Sequence, residues 1–418
     1  MSDYIITPGS KIEGIVKISG SKNASLPILA AGLMSDGISV FDGIPKLSDT
    51  ENMAELLRSV GAECTRKPDE SISISFAQSS KKRTADSELV NKLRASFLIM
   101  GPMLARTGRI RIPLPGGCQI GARPIDLHLK GFAAMGAKIK QGHGYVDAKC
   151  DKLYGAAIYL DFPSVGATEN LMLAACLADG ETVIENAAAE PEIADLADCL
   201  IKMGAKIDGA GSDTVHIKGV KELYPCRHKV IPDRIEAGTF LTLAAAARGS
   251  IKLTNVCPGH IKPITAKLEE MGFDIEAGDE ILSISPCEKF KSVDIKTLPY
   301  PGFPTDMQSQ FMSLMSVADG TGMVVETVFE NRFMQVPELL RMGAKIKIDG
   351  RTAVVDGTKK LSGAQVKATD LRAGAALVIA ALAAQGESVI GGIEHIERGY
   401  ESFAEKLKKI GVKIKTER

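Results

Sequence analysis

The chain has 418 residues, 45% hydrophobic and 24% charged, the make-up of an ordinary soluble globular protein too long for a single core. Its 51 Lys and Arg balance 51 Asp and Glu, so no net charge draws it to nucleic acid or to an anionic membrane. The eight cysteines form no CxxC pair and the six histidines no metal-ligand spacing, which predicts reduced thiols and no metal site.

In chain order, Tyr4–Ile6 and Gly14–Ile18 read as an opening pair of strands. The segment Met1–Tyr4 lacks the basic-then-apolar pattern of a secretory leader. The most apolar run, Ala373–Ala384, is shorter than the roughly 20 residues of a membrane span. A cytoplasmic protein is therefore expected. From Ala24 onward two kinds of helix alternate. The first kind, near 24–37, 92–108, 167–180, 235–249, 307–320 and 371–386, is apolar nearly all round and predicted to be buried. A short β-rich stretch follows each, such as Glu181–Glu185 or Ser388–Ile390. The second kind is amphipathic and ends at a glycine that leads straight into a strand. Those glycines stand at 61, 136, 204, 272, 343 and 411, separated by 75, 68, 68, 71 and 68 residues. Each is placed as the left-handed residue just past a helix end.

Six copies at nearly constant period predict six α/β units, each with two helices and several strands. Three such units suit one globular domain, so two domains are expected. One spans 21–229. The other is discontinuous, 1–20 plus 230–418, with the opening strands completing it. The longest interval contains Pro115-Gly116-Gly117-Cys118-Gln119-Ile120-Gly121-Ala122-Arg123-Pro124. Its glycines and prolines make it a shaped loop. A thiol there, five residues from Arg123, has the setting of a reactive cysteine.

The starts of the apolar helices carry polar residues: Ser21-Lys22-Asn23, Lys92-Leu93-Arg94, Ser164-Val165-Gly166, Asp233-Arg234, Thr305-Asp306 and Asp370-Leu371-Arg372. Ser, Asn and Asp fit N-caps. Lys22, Arg94, Arg234 and Arg372 sit where the helix dipole disfavours a cation by up to ~1 kcal/mol. A bound anion would supply the compensation, and a cleft between the domains is the expected place for a ligand with several negative charges. Arg123, Arg332 and Arg398 extend the cationic set, although each also fits a surface salt bridge.

Taken together, Ser21–Ala24, Leu93–Ser96, the Cys118 loop, Ser164–Thr168, Pro304–Asp306, Glu330–Phe333 and Thr369–Arg372 resemble the UDP-N-acetylglucosamine 1-carboxyvinyltransferases of the enolpyruvate transferase superfamily. The resemblance covers essentially the whole chain. It implies an α/β fold: a two-domain inside-out α/β barrel of six βαβαββ units, three per domain, with the Cys118 loop closing over an interdomain site. It implies transfer of the enolpyruvyl group of phosphoenolpyruvate to the 3-hydroxyl of UDP-N-acetylglucosamine, the first committed step of peptidoglycan synthesis, with no cofactor. The related 3-phosphoshikimate enzyme shares the plan but lacks the Cys118 loop.

By the same resemblance, Lys22, Arg123 and Arg398 would hold phosphoenolpyruvate, with Arg332 and Arg372 nearby. Asn23, Arg94, Arg123, Pro124, Ile125, Asp126, Leu127, Ser164, Val165, Gly166, Asp306 and Val328 would bind the sugar nucleotide. Cys118 would be the acid at C3 of the enol, Asp306 the base for the sugar hydroxyl, and Asp370 a support for Cys118 or Arg398. Many relatives carry a Lys at the position of Phe162, so a charge contact to the nucleotide is missing here. Two other readings compete: a silent sugar-nucleotide-binding repeat protein, against which intact Lys22, Cys118, Asp306 and Arg398 argue, and a thiol redox enzyme, for which no resolving cysteine lies near in sequence.

Overall fold

The computed structural model describes residues 2–9, 11–77, 80, 82–114 and 125–417. Cys118, Arg123 and Pro124 lie outside them. The chain divides into two units: one holds the chain through Ser19 and again from Pro232, the other residues 20–114 and 125–231. The crossings fall at Ser19/Gly20 and Ile231/Pro232, against 20/21 and 229/230 expected from the repeat.

In the 20–231 unit, the helices Lys22–Ala31, Met100–Thr107 and Val165–Ala175 form the core; in the last, every residue from Ala167 to Ala175 is buried. The amphipathic helices Ser48–Ser59, Asp126–Ala134 and Pro191–Lys202 cover it. The glycines that follow them have φ of 101° at Gly61, 93° at Gly136 and 103° at Gly204. That conformation is strained for any residue with a Cβ, which is why the repeat keeps glycine there.

Three sheets flank this core. Arg227–Lys229, Ile38–Asp42, Ile72–Ser75 and Glu63–Arg66 form one, in that order; Ala157–Tyr159, Glu181–Glu185, Thr214–Lys218 and Lys206–Asp208 form another. The third joins Arg109–Pro113, Tyr145–Lys149 and Lys138–Gly142, and a parallel bridge from Thr84 to Arg111 stands in for its fourth strand. Burial alternates along Thr214–Lys218, so one face packs inward and the other meets water.

The other unit repeats the plan around Arg234–Ala246, Gln308–Met315 and Leu371–Ala383. The opening strands, Asp3–Thr7 and Glu13–Lys17, do not pair with each other as the sequence suggested. Asp3–Thr7 pairs antiparallel with Ser388–Gly391 and Lys413–Glu417, completing the sheet of the last repeat. Glu13–Lys17 runs parallel to Ser250–Thr254 in a different sheet of the same unit. Within the other unit, Arg227–Lys229 likewise closes the sheet of the first repeat, parallel to Ile38–Asp42. The described strands belong to separate small sheets rather than to one closed β-barrel.

Two of the apolar helices differ from the sequence expectation. The second opens as the 3-10 segment Arg94–Ile99 before Met100–Thr107. Pro102 has no N–H to give the Leu98 carbonyl, so one α-helical hydrogen bond is missing across the junction of the two segments. The fifth opens as the 3-10 turn Thr305–Met307, just after Pro304. No helix among the described residues is long and apolar enough to cross a membrane.

Candidate active site

In the unit that resumes at Pro232, the tight turn Thr305–Met307 turns Asp306 away from any capping role. Its Oδ1 accepts from Arg332 Nη2 at 2.7 Å and its Oδ2 from Arg372 Nη2 at 2.8 Å. Both arginine side chains are buried, whereas Asp306 keeps 27% of its side chain exposed. Burial would favour a neutral Arg372, but the nearby charge of Asp306 outweighs it and holds the guanidinium pKa above its ordinary value. Two cations thus share one carboxylate that still reaches solvent.

A buried network fixes this cluster. Arg372 Nη1 donates to the Tyr400 hydroxyl at 3.1 Å. Thr239 spends its own proton on the Ile235 carbonyl at 2.8 Å, so Tyr400 donates to the Thr239 oxygen, 2.9 Å away. Gln310 Nε2 donates to Thr239 and to the Asp306 carbonyl. Burial pushes the Tyr400 pKa up, which keeps the phenol protonated as a donor. Beside the cluster, Glu326 is 1% exposed and accepts from Thr297, from Thr305 and from the backbone N–H groups of Val328 and Phe329. It anchors Val328 and the start of the Asp306 turn to one carboxylate.

Asp370 Oδ1 accepts from the N–H groups of Arg372 and Ala373, so it serves as the N-cap of Leu371–Ala383. Asp233 caps Arg234–Ala246 in the same way. Arg398 is partly exposed at the end of the short helix Glu394–Glu397, two residues before Tyr400.

In the 20–231 unit, Ser21 caps Lys22–Ala31 through the Ala24 N–H. Lys22 is 3.4 Å from the Asp49 carboxylate, which is nearly buried. Asn23 and Arg94 are partly exposed at the starts of their helices. A second junction is tied by Asn170. Its Oδ1 accepts from Gly101 N–H at 2.7 Å, and its Nδ2 donates to the Phe97 carbonyl at 2.8 Å and to His128 Nδ1 at 3.0 Å. The amide assigns the tautomer, leaving the His128 proton on Nε2. The imidazole stands edge-on to Phe97 with 5.3 Å between ring centres. Gly166, in the first turn of the Ser164-capped helix, faces the imidazole: a Cβ there would lie 3.5 Å from its Cε1, an ordinary packing distance. Part of His128 remains exposed, yet burial of the ring pushes its pKa down to about 4. On that same Ser164-capped helix, burial and the charges of Glu192 and Glu190 push the Glu169 carboxyl well above its ordinary range.

The structure therefore joins Asp306, Arg332 and Arg372, and it sets Gly166 beside the helix that begins with Asp126. At two of the helix starts the compensation comes from within the protein and not from a bound anion. Lys22 and Arg372 are compensated by Asp49 and Asp306, carboxylates of the protein itself. Sequence reasoning missed Asp49, Thr239, Gln310, Tyr400, His128 and Asn170. Of these, His128 and Asn170 had a signal, since His128 directly follows the stretch Arg123–Leu127 and Asn170 lies two residues past Ser164–Thr168. Ile125, Asp126 and Leu127 open the helix Asp126–Ala134, with Asp126 exposed. Phe162 is 44% exposed. Among the described residues no group of three His, Cys, Asp or Glu is arranged to hold a metal. A groove of about 1100 Å³ lined by Lys262, Lys267, Tyr300, Phe303 and Met323 contains none of the residues assigned to the site.

The family model described as EPSP synthase (3-phosphoshikimate 1-carboxyvinyltransferase) matches residues 6–407. A UDP-N-acetylglucosamine 1-carboxyvinyltransferase 1 of Caldanaerobacter subterraneus is 55% identical over 411 residues, covering 98% of each chain. A UDP-N-acetylglucosamine 1-carboxyvinyltransferase 2 of Carboxydothermus hydrogenoformans is 55% identical over 416 residues, covering 99% of each. Among solved structures, the enolpyruvyl transferase NikO from Streptomyces tendae superposes with a TM-score of 0.89 at 25% identity, covering 99% of this chain and 98% of that one. EPSP synthase from Acinetobacter baumannii, at 18% identity and TM-score 0.79 over the whole of both chains, shares the fold.

Proposed function

The chain belongs to the EPSP synthase family, and we propose that it transfers the enolpyruvyl group of phosphoenolpyruvate to the 3-hydroxyl of UDP-N-acetylglucosamine, releasing phosphate. It is a transferase, acting in the cytoplasm at the first committed step of peptidoglycan synthesis. The observation that carries the reading is the Asp306 carboxylate gripped by Arg332 and Arg372. Buried guanidinium groups suit the fixed negative charges of phosphoenolpyruvate, and a half-open carboxylate suits proton removal from an incoming hydroxyl.

Arg332 and Arg372 each engage one oxygen of Asp306. As the substrate's phosphate and carboxylate take over donors of Arg332 and Arg372, the carboxylate is released toward the 3-hydroxyl. Cys118 protonates C3 of the enol, which makes C2 electrophilic. The sugar oxygen bonds to C2 while Asp306 takes its proton. C3 then loses a proton, the C2–oxygen bond to phosphate breaks, and phosphate leaves with its charge stabilised by Lys22, Arg123 and Arg398. Asn23, Arg94, Arg123–Leu127, Ser164–Gly166, Asp306 and Val328 hold the sugar nucleotide. The inside-out barrel and its three βαβαββ units per domain remain the proposed architecture, supported by the repeated sheet orders in each unit.

The test is phosphate release from phosphoenolpyruvate, with and without UDP-N-acetylglucosamine, by the wild type and by Cys118→Ser. The reading expects release only with the sugar nucleotide and a large loss in the variant. Because the family model carries the 3-phosphoshikimate name, shikimate 3-phosphate is the control acceptor. Turnover with it and none with the sugar nucleotide would reverse the assignment.

A further inference from the structure

We propose that Cys199 and Cys226 are a redox modification site, forming a reversible disulfide with hydrogen peroxide or another hydroperoxide as oxidant. The two thiols are 27 positions apart, and no short motif announces them. The fold brings their sulfurs to 4.0 Å. Cys199 lies in the last turn of Pro191–Lys202, and Cys226 directly precedes the strand Arg227–Lys229. A disulfide needs about 2.05 Å, so closure asks for roughly 2 Å of sulfur movement.

The pair is asymmetric in the way a two-step oxidation requires. Cys226 is partly exposed, so a small peroxide can reach it, whereas Cys199 is fully buried. Its contact with the Cys199 thiol brings the Cys226 pKa down from the ordinary value against the effect of burial, with Lys202 helping. The same contact, with burial, raises the Cys199 pKa. Cys226 is the thiolate that attacks and Cys199 the thiol that resolves.

A polar relay holds the helping cation. Lys202 Nζ donates to His228 Nδ1 at 3.0 Å, and His228 Nε2 donates to Asp195 Oδ1 at 2.9 Å. His228 and Asp195 are both buried, and the second Asp195 oxygen accepts from the Ile231 N–H. Nothing in the proposed transferase chemistry uses this chain.

The chemistry balances in two steps. The Cys226 thiolate attacks one peroxide oxygen; an S–O bond forms, the O–O bond breaks, and hydroxide leaves to become water. The Cys199 sulfur then attacks the sulfenic sulfur; an S–S bond forms, the S–O bond breaks, and water leaves. Two thiols are oxidised and one peroxide is reduced to two waters.

The test uses the full chain with Cys118→Ser in every arm, so the loop thiol does not react. Peroxide treatment is followed by tryptic mass spectrometry without reductant. The expected product has lost two hydrogens and joins the peptide Glu222–Arg227 to the one ending at Lys202, and dithiothreitol reverses it. Adding Cys199→Ala strands the first step, so dimedone labels Cys226; adding Cys226→Ala leaves Cys199 unmodified. Lys202→Met slows the reaction about tenfold by raising the attacking thiol's pKa. Over-oxidation of Cys226 without cross-linking in the Cys118→Ser chain, or no dimedone label with Cys199→Ala, overturns the proposal. An unchanged rate in Lys202→Met overturns the role of the relay.

Discussion

Replacing Asp306 by Asn removes the one negative charge that two buried guanidinium groups share. The carboxylate receives Arg332 at 2.7 Å and Arg372 at 2.8 Å, with 3% and 6% of those side chains exposed. Asparagine keeps one acceptor but turns an NH2 group toward the other arginine. Losing one charge-assisted hydrogen bond costs about 1.5–3 kcal/mol, and stripping the partner from a buried charge about 3–5 kcal/mol. Asp306 is itself 27% exposed, so water screens part of this and the net loss is about 3 kcal/mol. At roughly 2–4 °C per kcal/mol, the melting temperature falls by about 6–12 °C. Added phosphate should restore the variant more than the wild type, because an anion can fill the vacated place beside the arginines. Turnover should drop by about 10²–10⁴-fold from loss of the base. The assays are calorimetry with and without phosphate, and phosphate release. A variant melt that phosphate shifts no more than the wild type's would refute the electrostatic account, and near wild-type turnover would refute the catalytic one.

Two pH predictions run in opposite directions. Glu236 is buried against Lys406, and burial pushes its pKa from the ordinary 4.5 up to about 7. A raised folded pKa means its contribution is complete below about 4.5 and disappears as pH rises through 7, about 3 kcal/mol in all. Chemical unfolding of Glu236→Gln between pH 5 and 8 should show a flatter slope than the wild type; an identical slope counts against it. His128 is depressed from 6.5 to about 4, so its contribution is complete above 6.5 and is lost as pH falls through 4. His128→Gln should remove about 2.5 kcal/mol of acid lability, read from urea midpoints at pH 7 and 4.5. Thr239→Val leaves Tyr400 and Gln310 short of a buried partner and should cost about 2 kcal/mol, whereas Thr239→Ser keeps the oxygen and most of the stability. Equal melts for the two variants would show the network to be slack.

What the sequence alone determined is local or periodic. The glycines at 61, 136, 204, 272, 343 and 411 all have positive φ, because a helix end that turns at once into a strand selects against any Cβ. The buried helices announced themselves by being apolar on every face, and Ser21, Ser164, Asp233 and Asp370 cap them through contacts two or three residues away. Breaks in those helices were harder to see: Pro102 lies just past the change from a 3-10 to an α-helical segment, whereas Pro27 lies inside the α-helix Lys22–Ala31. Only the tertiary structure decided what joins across long separations. It sent Asp3–Thr7 and Glu13–Lys17 to different sheets, locked Asp306 between Arg332 and Arg372, tied His128 to Asn170, and set Cys226 against Cys199. Hydrophobic period and capping act over a few residues, so the sequence displays them. Ion pairs and thiol contacts depend on where folded elements converge, and a residue type cannot carry the identity of a partner dozens or hundreds of positions away.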